Sequence, residues 1–125
     1  MNIHSKRDGD IVLLALVGRF DIHSSVPVWE AMQATFDSPR QPHIVIDMSG
    51  VDFVDAAALR TLVEARRQCE MQGGLLVLAA LSPTARILFE MLGVDASFTI
   101  TPTVVAAATE LRAASCSALS MARAA

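Results

Sequence analysis

Short apolar runs recur along the chain with the length and composition of buried β-strands. Three of them are apolar on both faces, which is typical of strands in a sheet that helices cover. They are Ile11 to Val17, Ile44 to Ile46 and Leu75 to Ala80. A shorter strand is predicted near residues 2–5, before a turn at Asp8-Gly9, because an Asp-Gly pair tolerates positive φ angles. A last short strand is predicted near residues 98–100.

Helical periodicity fills the intervals between these strands. The first helix should have Ser24 or Ser25 as its cap, tolerate Pro27 in its first turn and run to about Phe36. The other three are predicted at about Ala56 to Gln72, from Ser82-Pro83 to Gly93, and at Val104 to Ser115. The predicted core-facing positions of these three helices are Ala58, Leu62, Ala65, Cys69, Ala85, Leu88, Phe89, Leu92, Val105, Ala108 and Leu111.

Alternating strands and helices predict an α/β fold. We expect a small mixed sheet of about five strands covered by about four helices, because the opening hairpin must be antiparallel. At 125 residues the chain fits a single domain with one sizeable core.

Composition and charge exclude several classes of function. Although 53% of the residues are hydrophobic, the longest apolar runs have seven residues, whereas a membrane span needs about 20. The N-terminus has no apolar stretch of signal-peptide length, so a cytoplasmic protein is expected. With a net charge of −3 and no basic cluster larger than a pair such as Arg66-Arg67, we expect no direct nucleic-acid binding.

The residue types needed for catalysis or metal binding are scattered. Cys69 and Cys116 have no Cys or His at metal-ligand spacing, and His4, His23 and His43 are isolated from one another. No metal, no cofactor and no enzymatic activity are therefore predicted.

An acidic corner joins the second apolar run to the second helix. Asp52 and Asp55 lie there, followed by the alanines at 56–58. A helix start offers free N–H groups and a partial positive charge, which stabilise a carboxylate. Asp55 is predicted to be the N-cap of the helix, and contact of its carboxylate with a partner is the alternative role. Asp52 could be a solvated loop residue or a second contact.

The corner, from Ile44 to Leu59, resembles the signature of the STAS domain, the fold of bacterial anti-sigma factor antagonists. In that family the segment reads Asp-Leu-Ser-x-Val-x-Phe-x-Asp-Ser-Ser-Gly-Leu. Further segments resemble the family in the same order, namely Gly18 to Asp21, Gly73 to Leu78, Arg86 to Gly93 and Phe98 to Ile100. The resemblance implies an STAS domain over residues 1–115, followed by an Ala/Ser-rich tail, residues 116–125, that we expect to be frayed.

The resemblance also implies a switch that this chain lacks. In the family, the anti-sigma factor is itself a serine kinase and phosphorylates the residue directly after the corner aspartate. That residue here is Ala56, which has no hydroxyl, and Ala57 and Ala58 also depart from the family pattern. Either the protein is natively unswitched, which we favour because all three positions differ, or Ala56 is an engineered replacement. Ser49 and Thr61 are the nearest hydroxyls and poor substitutes.

A partner-binding surface is predicted around the corner and the second helix. Its residues are Asp21, Ser24, Asp55, Ala56, Ala57, Arg60, Thr61 and Glu64. Capping of the first helix is the alternative role of Asp21 and Ser24. Ile87 and Met91, off the core stripe of the third helix, could extend the surface. Arg19 stands where the family usually has Glu, which changes the charge of this surface.

Two hypotheses of different class follow for the function. The first is an anti-sigma factor antagonist that binds a kinase-type anti-sigma factor and thereby frees the sigma factor. The second is a scaffolding or ligand-sensing STAS protein that forms homo-oligomers or regulates another partner. No phosphate-binding glycine loop supports a nucleotide ligand, because Gly73-Gly74 precedes a strand and does not open a helix.

Overall fold

The order of the strands in the sheet follows their order in the chain. The computed structural model describes residues 1–113, and their strands are β1 (Asn2–Asp8), β2 (Ile11–Phe20), β3 (His43–Val54), β4 (Leu75–Ala79) and β5 (Thr99–Thr101). The sheet order is β1-β2-β3-β4-β5, with β1 antiparallel to β2 and all other neighbours parallel. The predicted mixed sheet of five strands is confirmed.

Four α-helices accompany the sheet in the described part of the chain. They are α1 (Ile22–Asp37), α2 (Ala56–Met71), α3 (Pro83–Met91) and α4, which is described over residues 104–113. None of them is both long and apolar enough to cross a membrane. The predicted domain end at residue 115 and the tail at residues 116–125 lie outside the described residues.

Helices cover both faces of the sheet, which explains why the central strands are apolar throughout. Leu14 and Leu16 of β2 belong to the larger core, beneath α1, α2 and α3. Ile11 and Leu13 alternate with them and face a smaller core, to which Leu111 of α4 belongs. Alternating side chains thus enter different cores, as the twofold period of a strand requires.

Several boundaries differ from the sequence prediction. The hairpin turn lies at Gly9-Asp10, one residue later than expected, with Gly9 at a φ of 62°. α1 begins at Ile22 with Asp21 as its cap, because the Asp21 carboxylate already accepts the N–H groups of the first turn. β3 continues to Val54, because β2 extends beyond Val17 and remains paired with it across two register shifts. Asp52 is therefore a strand residue and not a loop residue.

Two predicted core positions on the later helices are exposed. Leu92 is 54% exposed, because α3 ends at Met91 and Leu92 is its C-cap, before Gly93 with a φ of 69°. Val105 is 75% exposed, while Ala107 and Leu111 of α4 are fully buried. Residues 104–108 are all apolar, so periodicity did not distinguish the inner face of α4.

Candidate functional site

Two helices begin side by side at the carboxyl edge of the sheet. α1 follows β2, α2 follows β3, and these strands are parallel neighbours, so both helix N-termini lie at the same edge. Each start is capped by an aspartate, Asp21 for α1 and Asp55 for α2. The predicted cap role of Asp55 is confirmed.

Asp55 joins the two helix starts. Its Oδ1 accepts the N–H of Ala58 at 2.9 Å, within its own helix. Its Oδ2 accepts the N–H of Ile22, the first residue of α1, at 3.1 Å. The Asp55 N–H in turn donates to the carbonyl of Phe20, the last residue of β2, at 3.2 Å. One carboxylate therefore satisfies free N–H groups of both helices and fixes their relative position.

Asp21 and Ser24 form a second network at the start of α1. Asp21 Oδ1 accepts the N–H groups of His23 and Ser24 at 3.0 and 3.3 Å. Partial burial opposes ionisation of Asp21, but these hydrogen bonds, that of the Ser24 hydroxyl and the nearby His23 together hold its pKa below the usual value. Ser24 is buried, and its hydroxyl donates to the Arg19 carbonyl at 2.7 Å. Ser24 therefore supports the loop from a buried position, and its contact with a partner stays a prediction.

The three alanines after Asp55 differ in accessibility. Ala56 is exposed, Ala57 is partly exposed and Ala58 is fully buried. Of the two nearby hydroxyl residues, Ser49 is exposed on β3. Its N–H donates to the Asp47 carboxylate at 3.0 Å. The Thr61 hydroxyl donates to the Ala57 carbonyl inside α2 at 3.1 Å.

A groove of about 360 Å³ runs between α1 and α2, beyond the two capped helix starts. The α2 side contributes Arg60, Thr61 and Glu64, which are three of the predicted partner-binding residues. The α1 side contributes Ser25, Val26 and Trp29, which the sequence prediction missed. A detectable signal for them was the apolar spacing of Ile22, Val26 and Trp29, which lies outside the buried stripe of α1.

Arg19 lies near the end of β2, beside the capped start of α1. Its guanidinium lies 4.2 Å from the centroid of the Phe53 ring, and its Nε is 3.9 Å from Asp21. The Arg19 side chain remains 64% exposed, so it gives the acidic edge one accessible positive charge.

Two buried titratable side chains lie at the other end of the sheet. Burial, with a contribution from Glu70, raises the pKa of the Cys69 thiol to about 12, so the reactive thiolate does not form at neutral pH. Burial also lowers the pKa of His43 against an opposing effect of Asp10. Across residues 1–113, no three His, Cys, Asp or Glu side chains are grouped as metal ligands.

Comparison with known families and structures finds matches over most of the chain. The family model of the STAS domain matches residues 2–107. An anti-sigma factor antagonist from Mycobacterium paratuberculosis is 22% identical, with a TM-score of 0.78 over 89% of this chain and 93% of that chain. The anti-sigma factor antagonist SpoIIAA in its unphosphorylated form is 20% identical, with a TM-score of 0.75 over 90% and 97% of the two chains.

The same fold also occurs within a larger protein of another kind. The murine anion transporter Slc26a9 is 17% identical, with a TM-score of 0.74 over 86% of this chain but 18% of the transporter. At these identities the structural likeness concerns the fold.

Proposed function

The chain belongs to the STAS domain family, and we propose that it acts as an anti-sigma factor antagonist. In this role it is a cytoplasmic, non-enzymatic binding protein of bacterial transcription regulation. It binds a serine-kinase-type anti-sigma factor and so releases the sigma factor, without contacting nucleic acid itself. Its structural neighbours include proteins named for this role, among them SpoIIAA.

The observation that carries this proposal is the continuous surface from the capped helix starts into the groove. Asp21, Asp55, Ala56 and Ala57 lie at the edge of the sheet, and Arg60, Thr61 and Glu64 continue along α2 into the groove. Such a surface combines an apolar centre with charges of both signs at its margin, which is the composition of a specific protein interface.

We further propose that this antagonist is permanently competent to bind. SpoIIAA exists in unphosphorylated and phosphorylated forms. A phosphate would add about −1.5 to −2 charges beside Asp55. Ala56 is exposed at the first position of α2 but cannot accept it. Control of this protein would then depend on its synthesis or on another ligand.

Charge reversal of Arg60 or a bulky residue in place of Ala57 should weaken binding of the anti-sigma factor. We expect Arg60→Glu and Ala57→Trp each to lower the affinity by about tenfold or more, because a few central residues carry most of the binding free energy. The measurement is isothermal titration calorimetry with purified kinase-type anti-sigma factors of the source organism.

The matched control is Arg7→Glu, an exposed charge reversal on β1, the edge strand of the sheet, whereas α2 leaves β3. It should change the affinity by less than about twofold, since it lies outside the proposed interface. Circular dichroism and urea unfolding should show an intact fold for all three variants. Equal affinities of wild type, Arg60→Glu and Ala57→Trp would refute this position of the site, and no binding by the wild type would refute the function.

Restoring the missing hydroxyl should create the family's switch. We expect Ala56→Ser to gain one phosphate after incubation with the same kinase and ATP, and the wild type to gain none. The phosphorylated variant should then bind less tightly, because the added charge adjoins Asp55. Intact-mass and peptide mass spectrometry would check both results. Phosphate at Ser49 or Thr61 of the wild type would contradict the unswitched mechanism.

A further inference from the structure

The groove between α1 and α2 has one apolar wall and one charged wall. On α1, Ile22 and Val26 are 65% and 63% exposed, and the partly buried Trp29 continues their line at the i, i+4, i+7 spacing of a helix face. On α2, Arg60 and Glu64 are exposed one turn apart. Neither takes part in an ion pair within residues 1–113.

The backbone of these walls favours a helical occupant. Both walls are α-helices, whose mid-helix N–H and C=O groups are bonded internally, so an extended peptide would find no edge to pair with. The Ser25 and Thr61 hydroxyls that line the groove already donate their hydrogen bonds, to the Asp21 and Ala57 carbonyls. A helix satisfies its own backbone and needs only a matching row of side chains.

Helix α3 presents such a row on the outer surface of the same molecule. Ile87 is 55% exposed and Met91 is 77% exposed, one turn apart. Arg86 and Glu90 directly precede them, are exposed and take part in no ion pair among the described residues. The nine residues of α3 extend over about 14 Å, and Ile22 to Trp29 over about 10 Å, at 1.5 Å per residue.

We propose that α3 of one copy of this chain docks into the α1–α2 groove of a second copy. Ile87 and Met91 pack against the α1 wall, while Arg86 and Glu90 face α2. Antiparallel packing sets Glu90 against Arg60 and Arg86 against Glu64, whereas parallel packing would oppose like charges. The apolar contacts supply the affinity and the charges set the orientation.

This orientation makes the contact head-to-tail. Helices α1, α2 and α3 all leave the carboxyl ends of parallel strands and therefore run in similar directions. These three helices lie on the same face of the sheet. A two-fold axis that packs each groove against the other copy's α3 must therefore run along the helices. It would make the packed helices parallel, with like charges opposed. Each copy instead uses its groove for one neighbour and its α3 for another, and the assembly can grow beyond a dimer.

Sedimentation equilibrium of the purified chain tests this association without any other protein. The concentration range should reach from about 10 μM to about 1 mM, because so small an interface binds weakly. The wild-type average mass should rise with concentration beyond twice the 13.4 kDa of one chain. Val26→Glu, which blocks the groove, and Ile87→Glu, which blocks α3, should each remain at the monomer mass.

The mixture of the two blocked variants is the decisive sample. Ile87→Glu retains a groove and Val26→Glu retains an α3, so an equimolar mixture should form dimers and grow no further. Val105→Glu, a change at a 75% exposed position on α4, should associate like the wild type. A wild type that remains monomeric, a mixture that remains monomeric, or loss of association in Val105→Glu would each overturn the proposal.

The fluorescence of Trp29, which lines the groove, is a second measure of association. Trp29 is the only tryptophan of the chain, so its fluorescence emission should shift to the blue as the wild type associates. Arg60→Glu should reduce the association, and adding Glu90→Arg in the same chain should restore it by exchanging the charges. Failure of this restoration would overturn the antiparallel orientation.

Discussion

Replacing Gly74 with alanine should destabilise the fold by about 3 kcal/mol or more. Gly74 lies between α2 and β4, and a Cβ built on it would lie 1.8 Å from the carbonyl oxygen of Pro42. The same oxygen accepts the N–H of Leu75 at 3.0 Å, at the point where β4 begins to pair with β3. The backbone at Gly74 or at Pro42, directly before β4 and β3, must therefore shift. Urea unfolding of the variant would measure the loss of free energy.

The control for this prediction is Gly93→Ala, because the two glycines are needed for different reasons. Gly93 has a φ of 69°, and a Cβ there would meet no atom within 4 Å. Its substitution should cost only about 1 kcal/mol, the strain of a left-handed alanine. Equal stability losses for Gly74→Ala and Gly93→Ala would contradict the steric explanation.

Replacing Asp55 with alanine should remove about 2 kcal/mol of stability, more than an ordinary cap substitution. Replacing an ordinary N-cap residue with alanine costs about 1 kcal/mol of stability, because N–H groups of a single helix lose their acceptor. Here the carboxylate accepts from Ala58 in α2 and also from Ile22 in α1. The variant leaves a free donor at each helix start. Urea unfolding monitored by circular dichroism would measure the effect.

Two companion variants help to isolate the contribution of the bond between Asp55 and α1. Asp52→Ala removes an exposed carboxylate from the neighbouring β3 and should change stability by less than about 0.5 kcal/mol. Asp55→Asn retains one carbonyl oxygen for one of the two donors and should give an intermediate loss. A loss of only about 1 kcal/mol for Asp55→Ala, the value of an ordinary cap, would show that the link between the helices contributes nothing.

Features that depend on residues close in the chain were predictable. The three central strands followed from continuous apolar runs, and the cap at Asp55 followed from a polar residue directly before a helical pattern. The STAS resemblance also rested on local motifs in their order, and the family match over residues 2–107 agrees with it. Such signals depend on residues that are close in the sequence, so they can be recognised without knowledge of the fold.

The candidate site was only half predictable. Arg60, Thr61 and Glu64 were found because they lie on the outward face of a clear amphipathic helix. Val26 and Trp29 were missed, because only the packing of α1 beside α2 makes them the opposite wall of one groove. The burial of Ser24 was not predictable, because it depends on the course of β2 before it.

The sequence by itself determined the elements, the family and the absence of a hydroxyl at Ala56, since these depend on residue type and local order. The tertiary structure alone decided what the acidic corner does. The Asp55 carboxylate bonds to Ile22, 33 residues earlier in the chain, and this contact exists only because β2 and β3 are parallel neighbours. Long-range contacts of this kind arise from packing and leave no periodic signal in the chain.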